Sequence, residues 1–100
     1  MDAISPRINF STELADLFDL AGKVAYIPGG YGGIGEAIAW ALAMRGAKVA
    51  VSGRDGAKAE ALATALRAAG HQALGLAMDA HDVASIRASV DTVADRKSVV

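Results

Sequence analysis

The sequence predicts an α/β chain with three parallel strands and three helices in the order β-α-β-α-β-α. Three observations lead there. Short apolar runs closed by glycine, proline or aspartate alternate with stretches of helical period, and the joints between them are only a few residues long. Alanine supplies 23 of the 53 apolar residues in a chain of 100, a composition suited to helices lying close against a flat sheet. Alternating units of this kind need right-handed crossovers, which makes the strands parallel and covers the sheet with helices.

Residues 1 to about 21 mix polar, acidic and apolar types without a sustained period. Pro6 and the Ser11-Thr12-Glu13 start allow one short helical turn before Asp19, so this segment reads as an arm leading into a domain over 22–100. Val24-Ala25-Tyr26-Ile27 is a continuous apolar run ended by Pro28-Gly29-Gly30, the pattern of a strand covered on both faces. From Ile34 to Arg45, residues Ile34, Ala37, Ile38, Ala41 and Leu42 fall on one helical stripe, with Trp40 and Met44 off it. The expectation is that Ala37 and Ala41 let this helix approach the sheet. Gly46 sits where a left-handed cap belongs.

Lys48 to Ser52 is a second strand closed by Gly53. Asp55 is placed to cap a helix over 56–69, whose face is expected to carry Leu62, Ala65, Leu66 and Ala69, with Gly70 as its terminal cap. A third strand, about 72–78, contains Leu74 and Leu76 and ends at Asp79; Asp82 then caps a helix striped by Val83, Ile86, Val90 and Val93. Val99-Val100 reads as the stub of a fourth strand, so the domain is expected to be truncated before that strand.

Composition excludes several classes of function. Ten basic and eleven acidic residues are intermixed, giving net charge −1 and no basic stripe for phosphate-backbone binding, so no nucleic-acid partner is expected. The absence of cysteine removes disulfides, thiolate catalysis and Cys-containing zinc sites. His71 and His81 lack ligand-spaced partners and read as solvated loop residues, so no metal is expected. The longest apolar run, Ala37 to Met44, falls far short of the ~18 residues of a membrane span, and Met1-Asp2-Ala3 is not a basic leader. A cytoplasmic location without membrane association follows as the default.

The chemistry lies in Pro28-Gly29-Gly30-Tyr31-Gly32-Gly33-Ile34-Gly35, between the first strand and the first helix. A dinucleotide pyrophosphate needs backbone close to its oxygens, where a Cβ would hold it off, and free N–H groups at a helix start. Two spacings overlap: Gly30-x-Gly32-x-x-Gly35, the general dinucleotide fingerprint, and the longer Gly29-x-x-x-Gly33-x-Gly35. A glycine-dense loop meets many patterns, but here a strand precedes, an amphipathic helix follows, and a second strand begins 13 residues after Gly35. That context makes the chain a partial Rossmann-type, doubly wound parallel sheet.

The longer spacing resembles the short-chain dehydrogenase/reductase family, whose motif reads Thr-Gly-x-x-x-Gly-x-Gly after a Gly-Lys-Val-Ala strand entry. Gly22-Lys23-Val24-Ala25 is similar to that entry and Gly33-Ile34-Gly35 to that ending. The resemblance runs from about Leu17 to about Arg96. It implies cofactor binding through Gly29, Tyr31, Gly33, Ile34 and Gly35, with Tyr31 beside the adenosine ribose; an exposed loop tyrosine is the alternative. Pro28 departs from the family's Thr, removing an N–H and a bracing hydroxyl. Gly53 stands where NAD-preferring relatives carry Asp, and Arg54 follows, so the resemblance implies NADP(H) rather than NAD(H). Against this, Gly32 is not the second basic residue of some NADP-preferring members, and Asp55 is placed to pair with Arg54. The resemblance also puts Asp79 and Ala80 at the adenine; a brace for the third helix is the other reading of Asp79. A fingerprint of another FAD- or NAD-type Rossmann family would want an acid where Gly53 stands.

The family's Tyr-x-x-x-Lys pair and Asn-Asn-Ala-Gly strand are absent, so no catalytic residue is assigned and these 100 residues alone are expected to be inactive. Two functions remain in view. One is the cofactor-binding N-terminal part of an oxidoreductase that moves hydride between a nicotinamide and an alcohol or carbonyl substrate. The other is a stand-alone, non-catalytic nucleotide-binding or sensing module. The arm Leu17 to Lys23 resembles that of sugar, polyol and gluconate-type members, which implies a polyol or sugar acid and, in the complete protein, a homo-oligomer. A first strand left bare at the sheet edge is an aggregation liability for the chain alone.

Overall fold

The computed structural model describes residues 19–96, with Arg96 described by its backbone alone. The expected arm therefore lies outside the described residues up to residue 18, as does the Val99-Val100 stub. The elements are β1 (Val24–Pro28), α1 (Gly33–Met44), β2 (Lys48–Gly53), α2 (Gly56–Ala68), β3 (Ala73–Ala77) and α3 (Val83–Arg96). Their order is the expected β-α-β-α-β-α. The three strands form one parallel sheet ordered β1-β2-β3, with Ile27 opposite Val51 and Val51 opposite Gly75. This is the arrangement of a partial Rossmann fold.

The joints follow local chemistry. Gly46 and Gly70 take φ of +101° and +96°, the left-handed conformation that ends a helix without a Cβ clash. The Asp55 carboxylate accepts from the N–H groups of Ala57 and Lys58 at 3.0 and 3.3 Å, and Asp82 accepts from Ala84 at 3.0 Å. Each satisfies amides that the first helical turn leaves orphaned. Upstream of β1, Leu20 donates to the Arg45 carbonyl at 2.8 Å and packs on the core.

The core lies between one face of the sheet (Ala25, Ile27, Val49, Val51, Ala73) and the helices α1 and α2. The buried residues of α1 are Ala39 and Ala43, with Trp40 and Leu42 packed beside them; the expected stripe is corrected, because Ile34 and Ile38 are exposed and Ala37 and Ala41 are too. The close approach predicted for alanine is real but belongs to the other alternate pair. The reason is Gly35, four residues before Ala39. It faces the preceding loop so tightly that a Cβ there would stand 2.7 Å from Gly30 Cα, and this contact rotates the helix.

In α2, Leu62 and Leu66 are buried as expected, but Ala59 and Ala63 take the places foreseen for Ala65 and Ala69. The backbone of α2 runs so near β3 that a Cβ on Gly75 would be 2.5 Å from the Ala59 carbonyl oxygen. Burying Leu62 and Leu66 stabilises this contact by roughly 1.5–3 kcal/mol each. In α3 only Val93 of the expected stripe is buried, together with Ser89; Val83, Ile86 and Val90 are exposed among the described residues. No helix among them is long and apolar enough to cross a membrane.

Candidate functional site

The segment after β1 begins as a tight turn. Gly30 N–H donates to the Ile27 carbonyl at 3.1 Å, with Pro28 second and Gly29 third at φ +73°. Proline followed by a positive-φ glycine is the sequence of a type II turn. Gly29 N–H also donates to Ser52 O at 2.6 Å, carrying the ladder one residue past Pro28. Because successive peptide groups of a strand point to opposite sides, the Pro28 nitrogen faces away from β2. Proline therefore forfeits no β1–β2 hydrogen bond, and its fixed φ suits the turn.

The loop then enters α1 through Gly32, an N-cap in extended conformation with no side chain to cap the helix. Glu36 N–H reaches the Gly32 carbonyl at 2.6 Å, but among the described residues no acceptor meets the N–H groups of Gly33, Ile34 or Gly35. The starts of α2 and α3, by contrast, are closed by Asp55 and Asp82. A Cβ on Gly33 would meet nothing within 4 Å, so there is open space beside the first residue of the helix. Bare amides on the positive end of a helix suit a diphosphate group. The residues present thus fit the dinucleotide that the glycine spacing suggests.

Beside the loop, at the carboxyl ends of the strands, lies an open groove of about 470 Å³. Five of the expected cofactor residues line it: Gly29 and Tyr31 from the first loop, Arg54 after β2, and Asp79 and Ala80 after β3. Gly33, Ile34 and Gly35 do not. Gly35 is turned into the loop backbone and the Ile34 side chain is 82% exposed, so what this stretch offers is main-chain N–H. The groove also takes in Gly32 of the glycine spacing and Gly53, the position read as selecting the cofactor, together with Met78 and His81, which the sequence reading did not assign to the site. Their signal was positional, since Gly53 closes β2 and the others follow the ends of β1 and β3 within a few residues. A separate depression of about 340 Å³, lined in part by Ala43, Gly46 and His71, lies at the other end of the strands.

The side chains around the groove are held by specific contacts. The Tyr31 ring lies across Gly53, where a Cβ would come within 2.0 Å of it, and its hydroxyl accepts from Asp55 N–H at 3.2 Å. Tyr31 is half-buried, packed on the core rather than free in the loop. Arg54 does not make its ion pair with Asp55, whose carboxylate caps α2; its Nη2 lies 3.8 Å from Asp79 Oδ1, with side chains 73% and 44% exposed. That pair joins two residues lining the groove and is worth about 0–1 kcal/mol at such exposure, so it holds Arg54 only weakly. Asp79 also braces the β3–α3 joint: its Oδ1 accepts from His81 N–H and its own N–H donates to Ser85 Oγ, both at 2.9 Å. His71 stands edge-on to Trp40, with ring centroids 6.0 Å apart, and the described residues contain no group of three His, Cys, Asp or Glu able to hold a metal.

Comparison with known proteins agrees with this geometry. Residues 23–100 match the short chain dehydrogenase family model. The chain is 44% identical over 77 residues to D-threitol dehydrogenase of Mycolicibacterium smegmatis, covering 77% of this chain and 30% of that protein. It is 44% identical over 66 residues to 2,5-dichloro-2,5-cyclohexadiene-1,4-diol dehydrogenase of Sphingobium indicum, covering 66% of this chain and 26% of that one. Among solved structures it is similar to a short-chain type dehydrogenase/reductase from Mycobacterium marinum, at TM-score 0.78 and 35% identity over 83% of this chain and 33% of the other. A dehydrogenase/reductase from Sinorhizobium meliloti gives TM-score 0.74 and 37% identity, over 82% of this chain and 33% of the other. The chain thus spans about a third of the length of these relatives. On its strand-loop-helix geometry and on these matches, the chain belongs to the short-chain dehydrogenase family of oxidoreductases, which use a nicotinamide dinucleotide, NAD(P).

Proposed function

We propose that this chain forms the adenosine-binding portion of an NADP(H)-dependent oxidoreductase acting on a small alcohol or its ketone, with a polyol or diol as the substrate class. Bound there, the cofactor supplies a hydride donor or acceptor. The uncapped amides of Gly33, Ile34 and Gly35 hold the diphosphate, with Gly29 letting the backbone approach. Arg54, weakly paired and next to a glycine, takes a ribose 2′-phosphate in the bidentate manner of a guanidinium, while Asp79 and Ala80 flank the adenine. Names among the relatives, a threitol dehydrogenase and a cyclohexadiene diol dehydrogenase, support the substrate class. The domain is taken as 22–100 with a leading arm over 1–21, and the whole protein as a cytoplasmic homo-oligomer.

The observation that carries this reading is the contrast at the helix starts: α2 and α3 are closed by carboxylates and α1 is left open. Titration calorimetry tests it. The chain binds NADP+ more tightly than NAD+, Gly33→Val abolishes both by placing a side chain before the amides, and Arg54→Asp reverses the preference. Failure to bind either dinucleotide, or an unchanged NADP+/NAD+ ratio in Arg54→Asp, refutes it.

A further inference from the structure

We propose that Tyr31 decides which adenosine ribose the groove accepts: its ring excludes any side chain at position 53, and its hydroxyl donates to a ribose 2′-phosphate. This deepens the cofactor reading above and rests on it. The first half follows from volume. The end of the second strand is where an acidic side chain reads an unphosphorylated ribose, and Gly53 is that position here. A Cβ on Gly53 would lie 2.0 Å from Tyr31 Cε2 and 2.7 Å from its hydroxyl oxygen. Real carbon contacts are ~3.5–4.0 Å, so ring and side chain cannot share the site. A carboxylate at 53 must evict Tyr31 before it meets a ribose.

The second half follows from hydrogen-bond inventory. The Tyr31 oxygen already accepts from Asp55 N–H at 3.2 Å. A phenol that accepts still has its own proton to donate, and among the described residues nothing takes it. Asp55 is fixed by capping α2, so its amide anchors the hydroxyl, and Tyr31 lines the groove together with Arg54, the residue before Asp55. An anionic oxygen there receives one charge-assisted hydrogen bond from the phenol and others from the guanidinium. Tyr31 also borders a depression of about 320 Å³ lined by Glu36, Lys58 and Ala61, which offers a displaced ring a place outside the groove. Tyr31 and Gly53 are thus one device with two settings.

The test is titration of the full chain with NADP+ and NAD+, and with adenosine 2′,5′-bisphosphate and 5′-AMP as probes of the adenosine end alone. Tyr31→Phe keeps the ring over Gly53 and removes the hydroxyl, both as donor to the groove and as acceptor for Asp55 N–H. It weakens NADP+ and the bisphosphate about tenfold while NAD+ and AMP change less than about twofold. Gly53→Asp alone loses NADP+ with little gain in NAD+, whereas adding Tyr31→Ser frees the carboxylate and raises NAD+ preference at least about tenfold over the single variant. Thermal melts accompany each titration, and Tyr31→Phe remains decisive if Gly53→Asp does not fold. An unchanged NADP+/NAD+ ratio in Tyr31→Phe, or the same NAD+ gain in Gly53→Asp with and without Tyr31→Ser, overturns the inference while leaving cofactor binding intact. A wild-type chain that binds none of the four probes removes the cofactor reading and this inference with it.

Discussion

Replacing Gly35 with alanine sets two opposed effects against each other, and the structure decides the sign. In a free helix, alanine is better than glycine by about 1 kcal/mol. Here the new Cβ lies 2.7 Å from Gly30 Cα and 2.8 Å from Gly29 O, both main-chain atoms. Neither can yield, because Gly29 is bonded to Ser52 at 2.6 Å and Gly30 to Ile27 at 3.1 Å. Reaching ordinary carbon separation means lifting α1 by about 1 Å, which loosens the contacts of a core near full packing density. Ala39 and Ala43, at 0% and 2% exposure, are the residues that lose them. Overpacking of this kind costs about 1–3 kcal/mol. Net of propensity, Gly35→Ala lowers stability by up to about 2 kcal/mol, a drop in Tm of up to roughly 15 °C for a domain of this size. Thermal and urea unfolding followed by circular dichroism measure it. Gly33→Ala, whose Cβ meets nothing within 4 Å, is the control and melts at or slightly above wild type. A Gly35→Ala chain that melts above wild type refutes the close-approach argument.

Two other outcomes follow, one from a buried hydrogen bond and one from the residues that follow the tyrosines in the sequence. Tyr26 hydroxyl and Ser52 Oγ are 2.7 Å apart with Ser52 fully buried, so Tyr26→Phe strands a buried hydroxyl and costs about 1–2 kcal/mol in urea unfolding. Adding Ser52→Ala recovers part of that loss, and strict additivity of the two variants would show the bond to be incidental. The 100-residue chain with NADPH and simple ketones shows no absorbance loss at the nicotinamide band, because its tyrosines, Tyr26 and Tyr31, have glycines rather than lysines beyond them. Steady oxidation abolished by Gly33→Val would refute this.

The elements and their stops were legible because they are local. Asp55 and Asp82 before helices, Gly46 and Gly70 after them, and the glycine run after an apolar strand each act within about four residues of chain. The buried face of α1 was not legible. Its residues 37, 39, 41 and 43 are all alanine, so hydrophobicity hardly distinguishes one face from another, and the isoleucines drew the stripe to the wrong side. What orients the helix is the absence of a side chain at Gly35, which carries no weight in an apolar pattern. The stripe on α3 failed differently, since exposed Val83 and Val90 find no cover among the described residues. At the groove, Tyr31 on Gly53 joins residues 22 positions apart in sequence, and no period records that one is glycine because the other is large. Arg54 likewise passed over its neighbour Asp55 for Asp79, because the nearer carboxylate was already engaged by two amides.

The outward-facing nitrogen of Pro28 has a consequence for the side of β1 that pairs with no strand among the described residues. A newcomer zipping along that margin finds donors at Val24 and Tyr26 and then a tooth missing from the comb. Pairing there loses a hydrogen bond at the second residue of the turn, just before the glycine loop. A residue that departs from the nucleotide fingerprint thus withholds one donor from that margin while leaving the β1–β2 ladder whole.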